Sequence, residues 1–269
     1  MFDLSSYLSA FAVLLAMGAA TWVVSLIKRD VSIVDSLWSL MFLGAALVYW
    51  TAADEPVGRT WLVLGLVALW ALRLAGYITW RNWGEDEDRR YQQIRARNEP
   101  GFAFKSLYLV FGLQAMIAWI VSLPLLAAMH SGAPLGWLDG LALGLFALGF
   151  VFEAVGDWQL ARFKGHPENV GKVLDRGLWR YTRHPNYFGN ACIWWGFFLF
   201  ALATGGWWSV LSPLVMTFLL LKVSGVSLLE ADISERRPAY RDYIRRTNAF
   251  IPGLPRSPRS TAGQQEVGS

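Results

Sequence analysis

Four sets of polar residues stand in or beside stretches that are otherwise apolar. Burying such groups in a membrane is expensive, so each needs a reason. The first is Asp35, in Asp30-Val-Ser-Ile-Val-Asp35-Ser-Leu-Trp38. A carboxylate in the first turn of a helix is favoured by the helix dipole. The same group facing a cavity would be a proton donor or an orienting acid. The second set is Arg73, Tyr77 and Arg81, spaced i, i+4 and i+8, hence on one helix face. Arg73 is about 10 Å from the nearer end of its segment at 1.5 Å per residue. That distance is long for snorkelling and favours an internal partner. The third set is Glu153 and Asp157, four apart near the end of an apolar segment. Carboxylates at a helix C-terminus oppose the dipole, so a basic residue or a ligand hydroxyl should compensate them. The fourth runs from Asp175 to Asn190 and concentrates Arg176, Arg180, Arg183 and His184, four donors that can grip phosphate. Asn186 and Tyr187 follow where this loop meets the next apolar segment.

Several other chemistries are missing. His130, His166 and His184 are the only histidines and do not cluster, so a histidine-rich iron site is excluded and no metal is expected. Cys192 is the single cysteine, which excludes an internal disulfide and a cysteine metal site. There is no G-x-G-x-x-G, no P-loop lysine motif and no G-x-S-x-G.

The elements that must position these groups follow from where charge is absent. Of 269 residues, 55% are hydrophobic and 16% charged. No charge lies between Asp3 and Lys28, between Lys105 and Asp139, or, with His184 neutral, between Arg183 and Lys222: gaps of 24, 33 and 38 residues. Uncharged apolar runs of about 18 or more read as bilayer-spanning helices. The alternation of a membrane β-barrel is missing. The expected fold is therefore all-α, a polytopic bundle of about seven transmembrane helices at 6–27, 33–51, 60–80, 106–129, 138–160, 187–204 and 207–226. The first is read as a retained span, since no basic n-region precedes it and no small-residue cleavage site follows. Residues 1–251 are expected to form one membrane-embedded domain with loops 81–105, 161–187 and 227–251 on one face. The Pro-, Gly- and Ser-rich tail 252–269 is expected to be disordered. Gly140 and Gly144 form a GxxxG, the usual sign of close helix packing.

Of the 24 Lys and Arg residues, 22 fall on one side of this arrangement. Arg59 alone is on the other, and Arg73 lies within a span. The positive-inside rule then puts the N-terminus outside and the C-terminus in the cytoplasm, with a bacterial inner membrane the expected location. The same asymmetry accounts for the basic pI of about 9.3, and no nucleic-acid-reading motif is present.

Arg183-His184-Pro185-Asn186-Tyr187-Phe188-Gly189 resembles the signature that opens the C-terminal half of the membrane steroid 5-alpha-reductase relatives. Over roughly residues 20 to 255 the chain looks like an uncharacterised bacterial branch of that superfamily. Supporting pieces are Val34-Asp35-Ser-Leu-Trp38, Leu69-Trp70-Ala-Leu-Arg73, Glu87-Asp88-Arg-Arg-Tyr91 and Tyr240-Arg-Asp-Tyr243 through Ile251-Pro252. The resemblance implies a seven-helix bundle that takes NADPH from the cytoplasm. It places Asp157, Lys164, Arg176, Arg183, Asn186, Asn190 and Trp194 against the cofactor, with Tyr77 and Arg81 beneath and Tyr240 and Tyr243 closing the site. Trp38, Trp70 and Arg73 would face the substrate. The family's acid, a Glu that holds the substrate carbonyl, corresponds to Asp35. The sequence departs from the family pattern at three places: Val34 replaces a Gln, Trp70 a carbonyl-binding Tyr, and Asn190 a Glu.

The implied reaction is hydride transfer from NADPH to the C=C bond of a lipophilic α,β-unsaturated carbonyl, steroid-like or another lipid enone. Asp35 could donate to the carbonyl only in its protonated form. Isoprenylcysteine and phospholipid methyltransferases carry a similar R-H-P-x-Y-x-G run. The alternative is therefore an S-adenosylmethionine-dependent methyltransferase acting on a membrane lipid or prenylated thiol, with Glu230 as the acid of its last helix. A non-catalytic lipid-binding membrane protein is the third reading.

Overall fold

The computed structural model describes residues 2–53, 58–223 and 239–256. Ten helices account for most of them. They are α1 Leu4–Lys28, α2 Val34–Thr51, α3 Gly58–Asn82, α4 Arg89–Asn98, α5 Phe102–Val121, α6 Leu123–Met129, α7 Trp137–Lys164, α8 Pro185–Leu202, α9 Trp207–Lys222 and α10 Tyr240–Arg246. Among the described residues there is no strand, only an isolated bridge between Thr182 and Asn248.

Five helices, α1, α2, α3, α5 and α7, are long and apolar enough to cross a membrane. The expected seven are thus five by that measure. Helix α8 has the length, 18 residues, but its Pro, Asn, Tyr and Gly residues lower its hydropathy, and most of it is buried. Helix α9 is apolar and short. The span expected over 106–129 is divided at Ser122. Pro124 has no N–H and its ring would collide with the preceding turn, so α5 stops at Val121 and α6 starts afresh. The expected cytoplasmic loop 227–251 is described only from residue 239, and the tail beyond residue 256 lies outside the described residues, as does Glu230.

Helix ends follow local chemistry. Asp3 caps α1 by accepting from the backbone N–H groups of Ser5 and Ser6. Arg29, at φ 56°, closes its other end in the left-handed region. Exposed tryptophans mark both ends of two spans: Trp61 and Trp80 on α3, and Trp137 and Trp158 on α7. At 1.5 Å per residue these pairs are about 28 Å and about 32 Å apart, close to the hydrocarbon thickness of a bilayer.

The chain divides into two compact units, Met1–Phe146 with Trp194–Met216, and Ala147–Ile193 with Thr217–Ser269. In the first, α2 packs between α1 and α3, and α5 lies against α1. Leu14, Met41, Phe42, Ala45, Val67, Trp70, Phe111 and Ala115 are buried there. Arg59 is the exception to the one-sided charge count, and it is not a surface charge. Its Nε donates to Asp139 Oδ1 at 2.7 Å and its Nη2 to Oδ2 at 2.7 Å, while the carbonyls of Ala133 and Pro134 accept from Nη1 and Nη2, each at 2.9 Å.

In the second unit, α7 and α8 cross at two glycines. A Cβ on Gly149 would lie 2.5 Å from the Gly189 carbonyl oxygen, and one on Gly189 would lie 2.5 Å from the Glu153 nitrogen. The GxxxG of Gly140 and Gly144 does not serve this purpose. Both glycines are exposed, with no atom within 4 Å of a would-be Cβ, because they lie on another face of α7.

Candidate functional site

The close crossing at Gly149 and Gly189 brings the polar residues of α7 and α8 within reach of each other. Glu153 and Asp157 share a face of α7, and Asn186 and Asn190, also four apart, share a face of α8. Asn190 Nδ2 donates to Glu153 Oε1 at 2.9 Å, and Asn186 Nδ2 donates to Asp157 Oδ1 at 3.1 Å. Glu153, Asp157 and Asn190 are all more than nine-tenths buried. These are two rungs of one ladder, and its character is acceptor-rich. Asn190 Oδ1 is a buried acceptor with no hydrogen-bond partner among the described residues. A ligand that brings N–H or O–H groups would satisfy it.

The loop between these helices folds over the same unit. Gln159 accepts from the Leu178 N–H at 3.0 Å, and the Trp179 indole donates to the Gly156 carbonyl at 3.1 Å. The C-terminal segment then ties the loop down. Arg183 Nη1 donates to the carbonyls of Thr247 at 2.5 Å and Ile244 at 3.3 Å, and the Arg183 N–H donates to the Asn248 carbonyl at 2.9 Å. Thr182 Oγ1 donates to the Phe250 carbonyl at 2.8 Å, the Tyr243 hydroxyl to the Trp179 carbonyl, and Arg246 pairs with Asp175. Arg183 is buried, so its guanidinium holds the chain's own backbone. His184, also buried, stacks on Tyr187 with centroids 5.5 Å apart, and Tyr240 meets Tyr243 edge-on at 5.3 Å. Lys164, Arg176 and Arg180 are exposed. Arg176 lies over the Phe163 ring at 5.9 Å, beside a cleft of about 200 Å³ lined by Phe163, Asn169, Lys172, Asp175 and Arg176 among others.

In the first unit a second polar cluster closes the end where α1 gives way to α2. Asp35 accepts from Arg90 Nη2 at Oδ2 and from the Tyr91 hydroxyl at Oδ1, both at 2.6 Å. Arg90 also reaches Asp88, the N-cap of α4. Glu87 binds the Val31 N–H at 3.0 Å and takes Arg95 in two hydrogen bonds of 3.0 and 2.7 Å. Gln114 of α5 donates to the Tyr91 hydroxyl at 3.4 Å. Burial first, then the charge of Asp35 and the hydrogen bond to it, hold the Tyr91 phenol well above its usual pKa. Burial opposes ionisation of Asp88, but the hydrogen bonds from Arg90 outweigh it and lower its pKa. A carboxylate with a depressed pKa stabilises the fold above its unfolded value, and that contribution is lost as pH falls through the folded value. The α4 amides should therefore stay protected from hydrogen exchange at about pH 5 and lose protection as the pH drops below the usual aspartate range. Equal protection at both would mean that ionised Asp88 does not stabilise α4.

The aromatic residues expected to face substrate meet in this unit. Trp38 packs edge-on to Phe42 at 5.0 Å, and Phe42, Trp70 and Trp194 lie 4.5 to 5.7 Å apart. The Trp194 indole N–H is buried with no hydrogen-bond partner among the described residues. Trp194 thus groups with Trp38 and Trp70, whereas Asn186 and Asn190 belong to the other unit. Arg73 is half-buried one turn beyond Trp70, and Arg81 lies over the Tyr77 ring at 5.8 Å. Sequence reasoning gave no role to Arg90, Tyr91, Arg95 or Gln114. The available signal was the charged run from Glu85 to Arg97, which contains a single tyrosine.

A family described as "Protein of unknown function (DUF1295)" has a sequence model that matches residues 21–247. An uncharacterized protein of Schizosaccharomyces pombe is 27% identical over 270 residues, covering 88% of this chain and 77% of that protein. No solved structure matches significantly.

Proposed function

The chain belongs to the DUF1295 family, in the steroid 5-alpha-reductase-like group, and from that premise we propose that it is a membrane-embedded, NADPH-dependent reductase of the C=C bond of lipophilic α,β-unsaturated carbonyls. The observation that carries the reading is the buried ladder of Glu153, Asn190, Asp157 and Asn186 with its unsatisfied Asn190 oxygen. NADPH fits it, because its carboxamide NH2 can donate to that Asn190 oxygen. When bound, the cofactor supplies the hydride. Asn190 orients the carboxamide by accepting from it. The exposed guanidinia of Arg176 and Arg180, with Lys164, face its phosphates in this reading. Arg183 acts through the backbone it holds, keeping the loop closed over the ladder. The Lys and Arg excess supports a cytoplasmic position for this loop, on the side where the cofactor is found.

One observation also suits S-adenosylmethionine: two buried carboxylates would accept its ammonium group. Thermal unfolding of the detergent-purified protein with NADPH, NADH and S-adenosylmethionine in parallel separates the readings. A ligand at one hundred times its Kd should raise the midpoint by roughly 5 °C. NADPH should do so, and Asn190→Ala should weaken that binding by about tenfold. A shift with S-adenosylmethionine alone would assign the site to methyl transfer. No shift with any of the three would favour a lipid-binding role without a nucleotide.

A further inference from the structure

Ile251 and Leu254 are 68% and 85% exposed, although they stand in the segment that ties down the loop ahead of α8. Apolar side chains this open need something to meet them. They belong to the second unit, as do all the residues that place them. The Thr182 hydroxyl donates to the Phe250 carbonyl, and the Gly253 N–H donates to the Tyr181 carbonyl at 3.0 Å. The segment therefore runs beside the entry to α8, and Tyr181 is exposed there as well. A row of rings sets its depth. Phe250 lies edge-on to Phe188 at 6.1 Å, and Phe188 edge-on to Phe152 at 5.1 Å. Phe152 precedes Trp158 on α7 and is about 9 Å nearer the middle of the span at 1.5 Å per residue. Its ring leans further that way, because helical side chains point toward the N-terminus. Exposed Trp158 marks the headgroup level. Two ring-to-ring steps outward cannot carry Phe250 beyond about that level. The backbone that follows suits an apolar setting. Pro252 and Pro255 have no N–H, the Tyr181 carbonyl takes the N–H of Gly253, and the Ile251 carbonyl accepts from Asn248 Nδ2 at 3.3 Å.

We propose that Tyr181, Ile251 and Leu254 form a lipid-binding surface that seats in the phospholipid leaflet at the Trp158 end of α7, with the exposed Arg256 reaching lipid phosphates. Seating fixes more than these side chains. The same stretch of chain holds the loop through the N–H of Arg183, its guanidinium and the Thr182 hydroxyl. The bilayer is thus the outer wall of a clamp whose inner wall is the loop. Without lipid against Ile251 and Leu254 the clamp loosens, and the loop opens more often. This role is independent of which reaction the protein performs.

The test uses the full-length protein in nanodiscs of equal parts phosphatidylcholine and phosphatidylglycerol. Cys192→Ser removes the single native thiol, and a nitroxide is attached at Ile251→Cys, at Leu254→Cys, or at Glu168→Cys, an exposed loop position of the same unit. Collision of the label with lipid-soluble oxygen should exceed collision with a water-soluble nickel chelate at 251 and 254, and the order should reverse at 168. Without labels, the double variant Ile251→Ser with Leu254→Ser should speed hydrogen exchange of the Arg183 amide by about tenfold or more, as two apolar side chains leave lipid. The amides of α2 should keep their wild-type rates. A nickel excess at 251 and 254 like that at 168 would overturn the proposal, since the surface would then face water. Low collision with both reagents would overturn it too, because protein, either a second copy or another chain, would then cover the patch. An Arg183 amide that exchanges at the wild-type rate in the double variant would show that lipid does not hold the clamp, and would overturn it as well.

Discussion

Alanine at Gly189 is expected to destabilise the protein by more than about 3 kcal/mol, beyond the usual cost of overpacking a core. The new Cβ would meet the backbone of Gly149 and Glu153 and not the end of a flexible side chain, so the helices themselves must part. Separation at that point also pulls Asn190 from Glu153, and the NADPH shift should vanish with the stability. Alanine at Gly140 is the matched control. It enters open space on α7, the other helix of the crossing, and removing a helix glycine is worth up to about 1 kcal/mol in favour of folding. The two substitutions should therefore move the thermal midpoint in opposite directions. Equal midpoints for both variants would mean that the crossing is not where the structure puts it.

Arg59→Met should cost about 3–5 kcal/mol, because it leaves the Asp139 carboxylate buried without its partner. Arg59 and Asp139 are 1% and 4% exposed, so water cannot compensate. The double variant Arg59→Met with Asp139→Leu should recover most of that loss, since apolar residues often replace a buried ion pair at little cost. Thermal unfolding of the single and double variants measures the difference. A double variant as unstable as the single one would show that the carbonyls of Ala133 and Pro134 need the guanidinium more than Asp139 does.

The spans were legible because charge is excluded from lipid, and the long uncharged gaps show up in any reading of the chain. Helix α8 was also found by its lack of charge, although its Trp, Tyr and Asn residues keep its hydropathy low. The interruption at Ser122 was not, though Pro124 marks it, because proline is tolerated in membrane helices and its position alone does not fix a break. Glu153 and Asp157 could be placed on one face by their spacing. Their partners could not be paired from sequence, because nothing local sets the depth at which α7 and α8 cross. Arg183 looked like a phosphate donor by residue type. Its guanidinium donates to backbone carbonyls more than 60 residues away, and residue type carries no information about carbonyls. Asp35 was read as a first-turn carboxylate or a cavity-facing acid, and its partners could not be named, since Arg90 and Tyr91 lie 55 and 56 residues further on.

The paired tryptophans at the two ends of α3 and α7 have a consequence for where the protein can work. Indole rings favour the headgroup level, so each pair holds its helix to a set thickness of lipid. In a bilayer only a few ångströms thinner the rings must leave their preferred level or the helix must lean, each at a fraction of a kcal/mol per ångström. Acyl-chain length would then reach the crossing of α7 and α8 as a tilt of α7, and the lipid around the protein would adjust the geometry of a ladder that it never touches.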